Sequence, residues 1–297
     1  MGRVQTGAKG MALVRSRLEA ARVPRARRGA SIVLATWNVR ELGRTRRRDD
    51  AIAMLAAIVR RFSLTSLVEL RRDTGDLERI LRAAGPTFRA LYSEPLDDAG
   101  GNDERACFVY DTRFVEHTGL VSMVHGERRR IGREYVTPHW WRPPYMAGFR
   151  AGGTTFVLAT AHIRWGGRAT YRLAEIRALA TWAERHAHRA TRPTPLVLAG
   201  DMNTPSTASP LYRALTAKGL TVPAALLGEH GTNLAENKRY DQILHLPGLA
   251  ERFTERAGVV DFFGEDGRGL FPRGVTREGL TRQLSDHLPL WAELRVG

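Results

Sequence analysis

Short apolar runs with strand-like composition recur along the chain from about residue 31 onward. They are rich in Val, Ile, Leu and aromatic residues, which favour β-structure. Several runs are almost continuously apolar, which is typical of strands that are covered on both faces of their sheet. The pattern predicts strands at residues 31–37, 64–68, 106–110, 155–161, 196–199, 240–246 and 288–294.

Apolar residues at helical spacing lie between several of these strands. In residues 49–62, Ile52, Leu55 and Val59 fall on one face of a helix. The segment 169–188 has the same spacing, with charged residues on the opposite face. These two segments therefore predict helices that each pack one apolar side against a sheet.

The segments that remain set the predicted organisation of the domain. Ser209 followed by Pro210 is a typical N-cap and first-turn pair, which predicts a further helix from that point. Long polar stretches at residues 97–104 and 264–283 are predicted to be loops. Alternating strands and helices indicate an α/β (α+β) fold, and we expect one domain over residues 31–297.

The start of the chain has a different composition from the rest. Residues 1–30 contain many arginines and a single acid, Glu19, but no apolar core of a secretory signal. We expect a basic, disordered N-terminal arm, and we favour the cytoplasm over export. The one cysteine, Cys107, lies in an apolar run and cannot form an intramolecular disulfide, which argues against a disulfide-stabilised secreted domain.

Net charge narrows the choice of partner. The chain of 297 residues has 46 Lys and Arg against 31 Asp and Glu, a formal charge of +15. Such an excess favours polyanionic partners, with nucleic acid ahead of an anionic membrane. A GC-rich genome, which enriches arginine, alanine and glycine together, would give the same excess without any such partner. No apolar run approaches the length of a membrane span, and we expect a monomer.

Polar side chains that can bind a metal or a proton occur at five strand ends, where ligands gather in α/β proteins. Oxygen ligands suit a hard cation such as Mg²⁺. Histidine adds a ring that titrates near neutral pH. The sequence therefore predicts a cation site beside titratable histidines, built from Asn38, Glu69, His162, Asp201 and the pair Asp286–His287.

Eight motifs that include these residues resemble those of the endonuclease/exonuclease/phosphatase superfamily, which has the deoxyribonuclease I-like fold. They follow the family's order and cover the chain from about residue 31. The combination of GDMN and SDHLP is the specific part, and Val68 departs from the Gln that the family usually has before its metal-binding Glu. The motifs are TWNV (36–39), VEL (68–70), DERACFVY (103–110), RPPYMAGF (142–149), TAHIRWGG (160–167), GDMNTPS (200–206), YDQI (240–243) and SDHLP (285–289).

The resemblance implies a four-layer sandwich of two packed mixed β-sheets flanked by helices, with a metal site at one end. It implies Glu69 as the principal Mg²⁺ ligand, assisted by Asn38 and Asp286, with Mn²⁺ as an alternative cation. Asp201 and Asn203 would contact a second metal position, the attacking water or the phosphate. Such a cation would neutralise charge on the phosphate and direct a water molecule at phosphorus.

The resemblance also implies two carboxylate–histidine pairs. Glu104 would orient His162, and Asp241 would orient His287. A carboxylate on one ring nitrogen fixes the tautomer and prepares the other nitrogen for proton transfer or phosphate binding. The general base stays open between the two histidines and Asp201, so we assign acid and base roles to the group jointly.

Substrate contacts are suggested by arginine and tryptophan. The resemblance implies phosphate contacts by Arg142, by Arg105 and by Asn203, and a guanidinium suits bidentate phosphate binding. The arginine run at residues 44–48 is typical of a solvated loop, with a phosphate contact as the alternative. Three tryptophans could either stack on bases or cover a sheet: Trp140, Trp141 and Trp165.

The expected activity is Mg²⁺-dependent hydrolysis of DNA by an endonuclease of low sequence specificity, through metal-activated water. Two alternatives stay open on the same fold: a phosphatase or phospholipid phosphodiesterase, and a catalytically inactive module that binds nucleic acid. Loss of a metal carboxylate or a catalytic histidine would indicate the inactive module, and the chain retains all of these residues.

Overall fold

The computed structural model describes residues 2–96, 103–126, 129–136, 140–188, 194–228, 230–271 and 275–297. Its helices are α1 Gly2–Ala20, α2 Asp49–Val59, α3 Gly75–Ala84, α4 Ala169–His188, α5 Pro210–Thr216 and α6 Arg277–Gln283. Its strands are β1 Ser31–Leu42, β2 Leu64–Leu70, β3 Phe88–Tyr92, β4 Arg105–Asp111, β5 Glu116–Met123, β6 Arg129–Ile131, β7 Glu134–Val136, β8 Tyr145–Ala151, β9 Thr154–His162, β10 Leu196–Asp201, β11 Asp241–His245, β12 Phe253–Val259 and β13 Leu290–Arg295.

The strands form two large mixed sheets and one small hairpin. The first sheet has six strands in the order β12-β13-β1-β2-β4-β3, and the second has five in the order β11-β10-β9-β8-β5. Strands β6 and β7 pair with each other. Each large sheet contains one parallel pair, β1 with β2 and β9 with β10, and its other neighbours are antiparallel. The parallel pairs matter for function because two strand ends then meet at one edge of each sheet.

Strand β1 shows how the layers are built. Its side chains alternate between the two faces of the first sheet, and both faces are buried. Ile32 and Leu34 belong to the core between the two sheets, whereas Val33 and Trp37 pack beneath helices α1, α2 and α3. Helices α4 and α5 cover the second sheet. The predicted four-layer sandwich of two mixed sheets flanked by helices is therefore confirmed.

All the strands and helices named from the sequence pattern are present, with ends displaced by a few residues. The prediction of a loop through residues 264–283 is wrong at its end, where α6 forms. Thr276 caps that helix by accepting a hydrogen bond from the backbone N–H of Gly279, and Leu280 is buried. The predicted loop at 97–104 lies mostly outside the described residues.

The structure has helix α1 where the sequence predicts a disordered arm. Leu18 of this helix is buried against α2 and the first sheet. The guanidinium of Arg17 donates a hydrogen bond to the carbonyl oxygen of Phe262 at 2.8 Å. At Gly10 an added Cβ atom would lie only 2.1 Å from the carbonyl oxygen of Leu270, so the helix packs closely. Its buried residues are too few to give a recognisable pattern in the sequence. None of the helices that the structure describes is both long and apolar enough to cross a membrane.

We predict that Leu18→Ala lowers the free energy of unfolding by about 2–5 kcal/mol, because it leaves a cavity beneath α1. Urea denaturation followed by circular dichroism measures the change. Arg15→Ala is the matched control, since this exposed residue lies on the same helix, and its effect should stay within about 0.5 kcal/mol. Equal stability of Leu18→Ala and the unmodified chain would favour a disordered arm instead.

Candidate active site

A cavity of about 960 Å³ opens at one end of the sandwich, where strands of both sheets end. The first sheet supplies Asn38 from β1 and Glu69 from β2, and the second supplies His162 from β9 and Asp201 from β10. The remaining predicted residues that line the cavity are Glu104, Arg142, Asn203, Asp286 and His287. The structure thus brings together side chains that are far apart in the sequence.

Strand register places the residues of the second sheet side by side. Asp201 is paired with His162 on the parallel neighbour β9 and with Asp241 on the antiparallel neighbour β11. Residues paired across neighbouring strands have side chains on the same face. A row of three ionisable groups therefore follows from strand pairing alone, with Asp201 in the middle.

The amide of Asn38 connects the two sheets at this edge. Its Nδ2 atom donates one hydrogen bond to Glu69 Oε1 at 2.8 Å and another to Asp201 Oδ2 at 3.1 Å. Its Oδ1 atom accepts a hydrogen bond from the backbone N–H of Arg40. Both carboxylates are consequently held within reach of one buried amide, although they belong to different sheets.

Two of the predicted site residues have left-handed backbone conformations that are uncommon outside glycine. Glu69 has φ 65° and Asn203 has φ 48°. The N–H of Asn203 donates to Asp201 Oδ1 at 3.0 Å, and its side-chain amide donates to the carbonyl oxygen of Ile163 at 2.6 Å. These contacts fix an otherwise unfavourable turn, and such turns concentrate at functional sites.

Two histidines face Asp201, each supported by a second carboxylate. The Nδ1 atom of His162 lies 2.5 Å from Glu104 Oε1, and the Nδ1 atom of His287 lies 2.7 Å from Asp241 Oδ2. The Nε2 atoms lie 3.7 and 3.9 Å from Asp201 Oδ2. Both carboxylate–histidine pairs therefore have the arrangement that the family resemblance implies, and both rings point their second nitrogen at one carboxylate.

Electrostatics favours a protonated form of both rings. Burial on its own lowers the pKa of His162, but the charges of Glu104 and Asp201 outweigh it and raise that pKa. Burial also opposes protonation of His287, yet Asp241, Asp201 and Asp286 raise its pKa to about 10. Two imidazolium groups can then donate hydrogen bonds to the oxygens of an anion in the cavity.

The cavity offers two sets of ligands for a cation. The predicted set, Asn38, Glu69, Asp286 and Asp201, consists of oxygen donors, which fit Mg²⁺ or Mn²⁺. Among the described residues, Asp201, Asp241 and His287 also form a group whose ligand atoms all lie within 4.8 Å of one another. We favour the first set, because Asp241 is buried behind His287 and already accepts a hydrogen bond from its Nδ1 atom.

Arg142 and Arg105 have different positions. The Nε atom of Arg142 lies 2.7 Å from Glu104 Oε2 in an ion pair, and its buried Nη1 atom has no hydrogen-bond partner among the described residues. A buried donor without a partner is costly, as expected of a group that binds an anion. Arg105 instead donates to the carbonyl oxygen of Ser93 and lies over Tyr92, so the structure does not place it in the cavity. Successive side chains of a strand point to opposite faces, so Arg105 faces away from the cavity that the preceding residue, Glu104, lines.

Sequence reasoning missed a buried arginine that holds the site together. Arg47, only 2% exposed, donates through Nη2 to the carbonyl oxygens of Val39 and Arg40, each at 2.6 Å. Through Nη1 it donates to the carbonyl oxygens of Gln283 and Leu284. It thereby joins the segment after Asn38 to the segment before Asp286. Within the run at 44–48 it is indistinguishable by composition from its exposed neighbours.

Ser285 provides a second connection between the same segments. Its hydroxyl donates to the carbonyl oxygen of Asn38 at 2.6 Å and accepts from the N–H of His287 at 2.9 Å. The indole N–H of Trp37 donates to the carbonyl oxygen of His287 at 2.8 Å. The Asp286–His287 pair is therefore fixed against the end of β1 by backbone contacts, independently of any ligand.

A sandwich of two mixed sheets with this acidic and histidine-rich end is suited to phosphoester hydrolysis. The chain belongs to the Endonuclease/Exonuclease/phosphatase family, whose model matches residues 35–287. The match includes every predicted metal and histidine residue of the cavity, from Asn38 to His287.

Known proteins resemble the chain in sequence and in structure. A deoxyribonuclease of Thioalkalivibrio sp. (strain K90mix) is 32% identical over 158 residues, which cover 50% of this chain and 40% of that protein. The chain thus spans less than half the length of this curated relative.

Solved structures show the same fold at low sequence identity. The catalytic domain of human Nocturnin with bound sulfate has a TM-score of 0.58 at 15% identity, covering 90% of this chain and 95% of that one. Truncated Caenorhabditis elegans TDP2 gives 0.58 at 14% identity, covering 90% and 98%. The mannosyl-6-phosphatase Bt3783 of Bacteroides thetaiotaomicron VPI-5482 gives 0.58 at 18% identity, covering 89% and 99%.

We predict that Asp241→Asn lowers the pKa of His287 by about one to three units, because the substitution removes the negative charge that stabilises the protonated ring. The measurement is an NMR titration of the imidazole in protein freed of cations with EDTA. His245 is an internal control, since it lies at the other end of β11 and burial lowers its pKa. An unchanged titration of His287 would contradict the assigned pairing.

We predict that Arg47→Lys weakens Mn²⁺ binding by about ten- to one hundred-fold. Lysine cannot donate to all four of the carbonyl oxygens through which Arg47 joins the segment after Asn38 to the segment before Asp286. Electron paramagnetic resonance of free Mn²⁺ measures the affinity. Arg46→Lys is the matched control, because Arg46 is exposed in the same loop. Equal affinities of the two variants would show that this arginine does not position the ligands.

Proposed function

We propose that this phosphoesterase is a Mg²⁺-dependent endonuclease that hydrolyses DNA with low sequence specificity. The observation that carries the proposal is the position of Asp201, which lies within 4 Å of the Nε2 atoms of both His162 and His287. Each ring is supported by its own buried carboxylate, and oxygen ligands for a cation lie beside them. A phosphodiester needs these groups together: donors for its oxygens, an acceptor for a proton, and a cation.

The phosphate is bound by the positive groups of the cavity. The protonated rings of His162 and His287 donate to its nonbridging oxygens, with Arg142 adding charge on the side of Glu104. Donors that are already fixed in place stabilise the charge that develops in the transition state. When bound, a divalent cation held by Glu69 and its neighbours would supply further neutralisation and lower the pKa of a water molecule.

Proton transfer follows from the protonation states. Asp201 accepts the proton of the attacking water, because the raised pKa values of both neighbouring rings favour their protonated forms. As the new P–O bond forms, the bond to the 3′-oxygen breaks, and a histidine donates its Nε2 proton to that oxygen. The products are a 3′-hydroxyl and a 5′-phosphate. Asn203 holds Asp201 in place through its N–H.

Charge supports DNA as the substrate. The formal charge of +15 favours a polyanion, and several arginines lie around the cavity: Arg40, Arg44, Arg71, Arg164 and Arg282. Arginine contacts to phosphate fix a strand in place without reading its sequence, which fits low specificity. The name of the deoxyribonuclease relative is consistent with this substrate.

We predict that purified protein nicks supercoiled plasmid with Mg²⁺ or Mn²⁺ and not with EDTA. Glu69→Ala and His287→Ala should each lower the rate by at least about a hundredfold, because one removes a cation ligand and the other a proton donor. Agarose-gel assays under single-turnover conditions measure the rates.

Two exposed residues of the same types serve as matched controls. Glu255 lies on β12 and His188 at the end of α4, both away from the cavity. Glu255→Ala and His188→Ala should therefore retain full activity. If the folded protein cleaves no DNA with any cation, the endonuclease proposal fails. Sugar phosphates and phospholipids then become the substrates to assay.

A further inference from the structure

Four aromatic side chains form one side of the cavity, and we call them the aromatic wall: Trp141, Trp165, Tyr171 and Tyr240. Three of them are unusually exposed, Trp165 at 67%, Tyr171 at 54% and Trp141 at 45%. Large apolar surface left in contact with water beside a charged site is unfavourable unless a ligand covers it. The protonation and cation chemistry described above uses none of these four side chains.

Trp165 lies at the tip of the loop that follows His162. The next two residues, Gly166 and Gly167, have φ of 76° and 65°, and an added Cβ would meet nothing within 4 Å of either. Glycine is therefore required there by the backbone turn and not by crowding. The turn presents Trp165 at the cavity only three residues beyond a histidine that faces Asp201.

The wall continues from Trp165 to the reacting centre. The Trp165 ring meets Tyr240 edge to face, with centroids 5.5 Å apart and an angle of 75°. Tyr240 in turn lies 5.8 Å from the ring of His287. A planar group lying against Trp165 would thus be next to the phosphate position without displacing either histidine.

The second tryptophan of the wall carries a positive charge on its face. The guanidinium of Arg164 lies 4.2 Å from the centroid of Trp141 and 5.3 Å from that of Tyr171. A cation stacked on aromatic rings is held at a fixed place. This part of the wall combines an apolar surface with a charge that can bind phosphate.

The two sheets contribute different chemistry to the cavity. The aromatic wall is connected to the second sheet: Trp141 precedes β8, Trp165 follows β9, Tyr171 lies in α4 and Tyr240 precedes β11. Arginines come from the first sheet and from α6: Arg40 lies in β1, Arg44 follows β1, and Arg282 lies in α6. The side of the first sheet therefore offers charge to phosphates, and the side of the second sheet offers flat apolar groups together with Arg164.

Only an unpaired base can stack on the aromatic wall. In a duplex the faces of each base are covered by its neighbours, and proteins reach only the base edges in the grooves. A base in a single strand exposes its face, and aromatic rings beside a basic groove are the usual means of binding it. A concave cavity of about 960 Å³ also suits a nucleotide displaced from a helix better than an intact helix.

We propose that the cavity binds single-stranded DNA, with one unpaired base stacked on Trp165 and the adjoining phosphate facing Asp201. The inference deepens the proposed function, on which the position of the scissile phosphate rests. The alternative is that Trp165 only holds Tyr240 in place. That structural role would weaken binding of every strand equally, whether or not the strand carries bases.

The test compares strands with and without bases. Fluorescence anisotropy in EDTA measures the affinity of a labelled oligothymidylate and of a baseless tetrahydrofuran strand of equal length and charge. The unmodified protein should bind the oligothymidylate about tenfold more tightly, as expected for one stacked base. Trp165→Ala should remove most of this difference and leave the affinity for the baseless strand unchanged. Trp165→Phe should retain it.

Tyr92→Ala is the matched control, because Tyr92 is 45% exposed and lies outside the cavity. Its affinities for both strands should equal those of the unmodified protein. The proposal is overturned if the unmodified protein does not distinguish the strands, or if Trp165→Ala distinguishes them equally well. Because no cleavage is needed, base discrimination without DNA hydrolysis in Mg²⁺ would refute the endonuclease proposal and leave the stacking of a base on Trp165 intact.

Discussion

The hydrogen bonds of one buried amide, that of Asn38, set the geometry on which the site depends. One N–H of its side chain reaches Glu69 in the first sheet, and the other reaches Asp201 in the second. Two acids whose charges repel are thereby kept at a fixed separation by a neutral donor. Since these contacts cross between the sheets, correct packing of the sandwich is a condition for a correctly shaped site. Fold and function are coupled at this position.

The charge balance of the cavity depends on the positive groups that face its buried acids. Six acids lie at or just behind its wall, and burial makes a charge unfavourable unless it is compensated: Glu41, Glu69, Glu104, Asp201, Asp241 and Asp286. Two imidazolium rings compensate Glu104, Asp241 and Asp201, and their raised pKa values express that compensation. Arg142 compensates Glu104 further. On the side of Glu69, Arg40 lies 3.5 Å from Asp286, and Arg71 forms an ion pair with Glu41.

Most of the fold and of the acidic and histidine-rich centre could be predicted from the sequence, because strands buried on both faces are apolar and end abruptly at polar residues. The pattern failed where burial is one-sided or sparse. Helix α1 buries only a few residues, and β5 is largely exposed at the edge of its sheet. The contact assigned to Arg105 failed because a one-residue step along a strand reverses the direction of the side chain. Arg47 was missed because a run of arginines does not reveal which member is buried.

The sequence by itself determined which chemical groups are present and at which strand ends they occur, since local alternation and abrupt polarity changes are properties of neighbouring residues. Only the tertiary structure decided how these ends meet. Strand register placed Asp201 between His162 and Asp241, and the crossing of two sheets brought Asn38 to the same point. Likewise, the folding of loops from one sheet collected the aromatic wall beside the phosphate position. Such convergence depends on contacts between residues far apart in the chain, which no local pattern encodes.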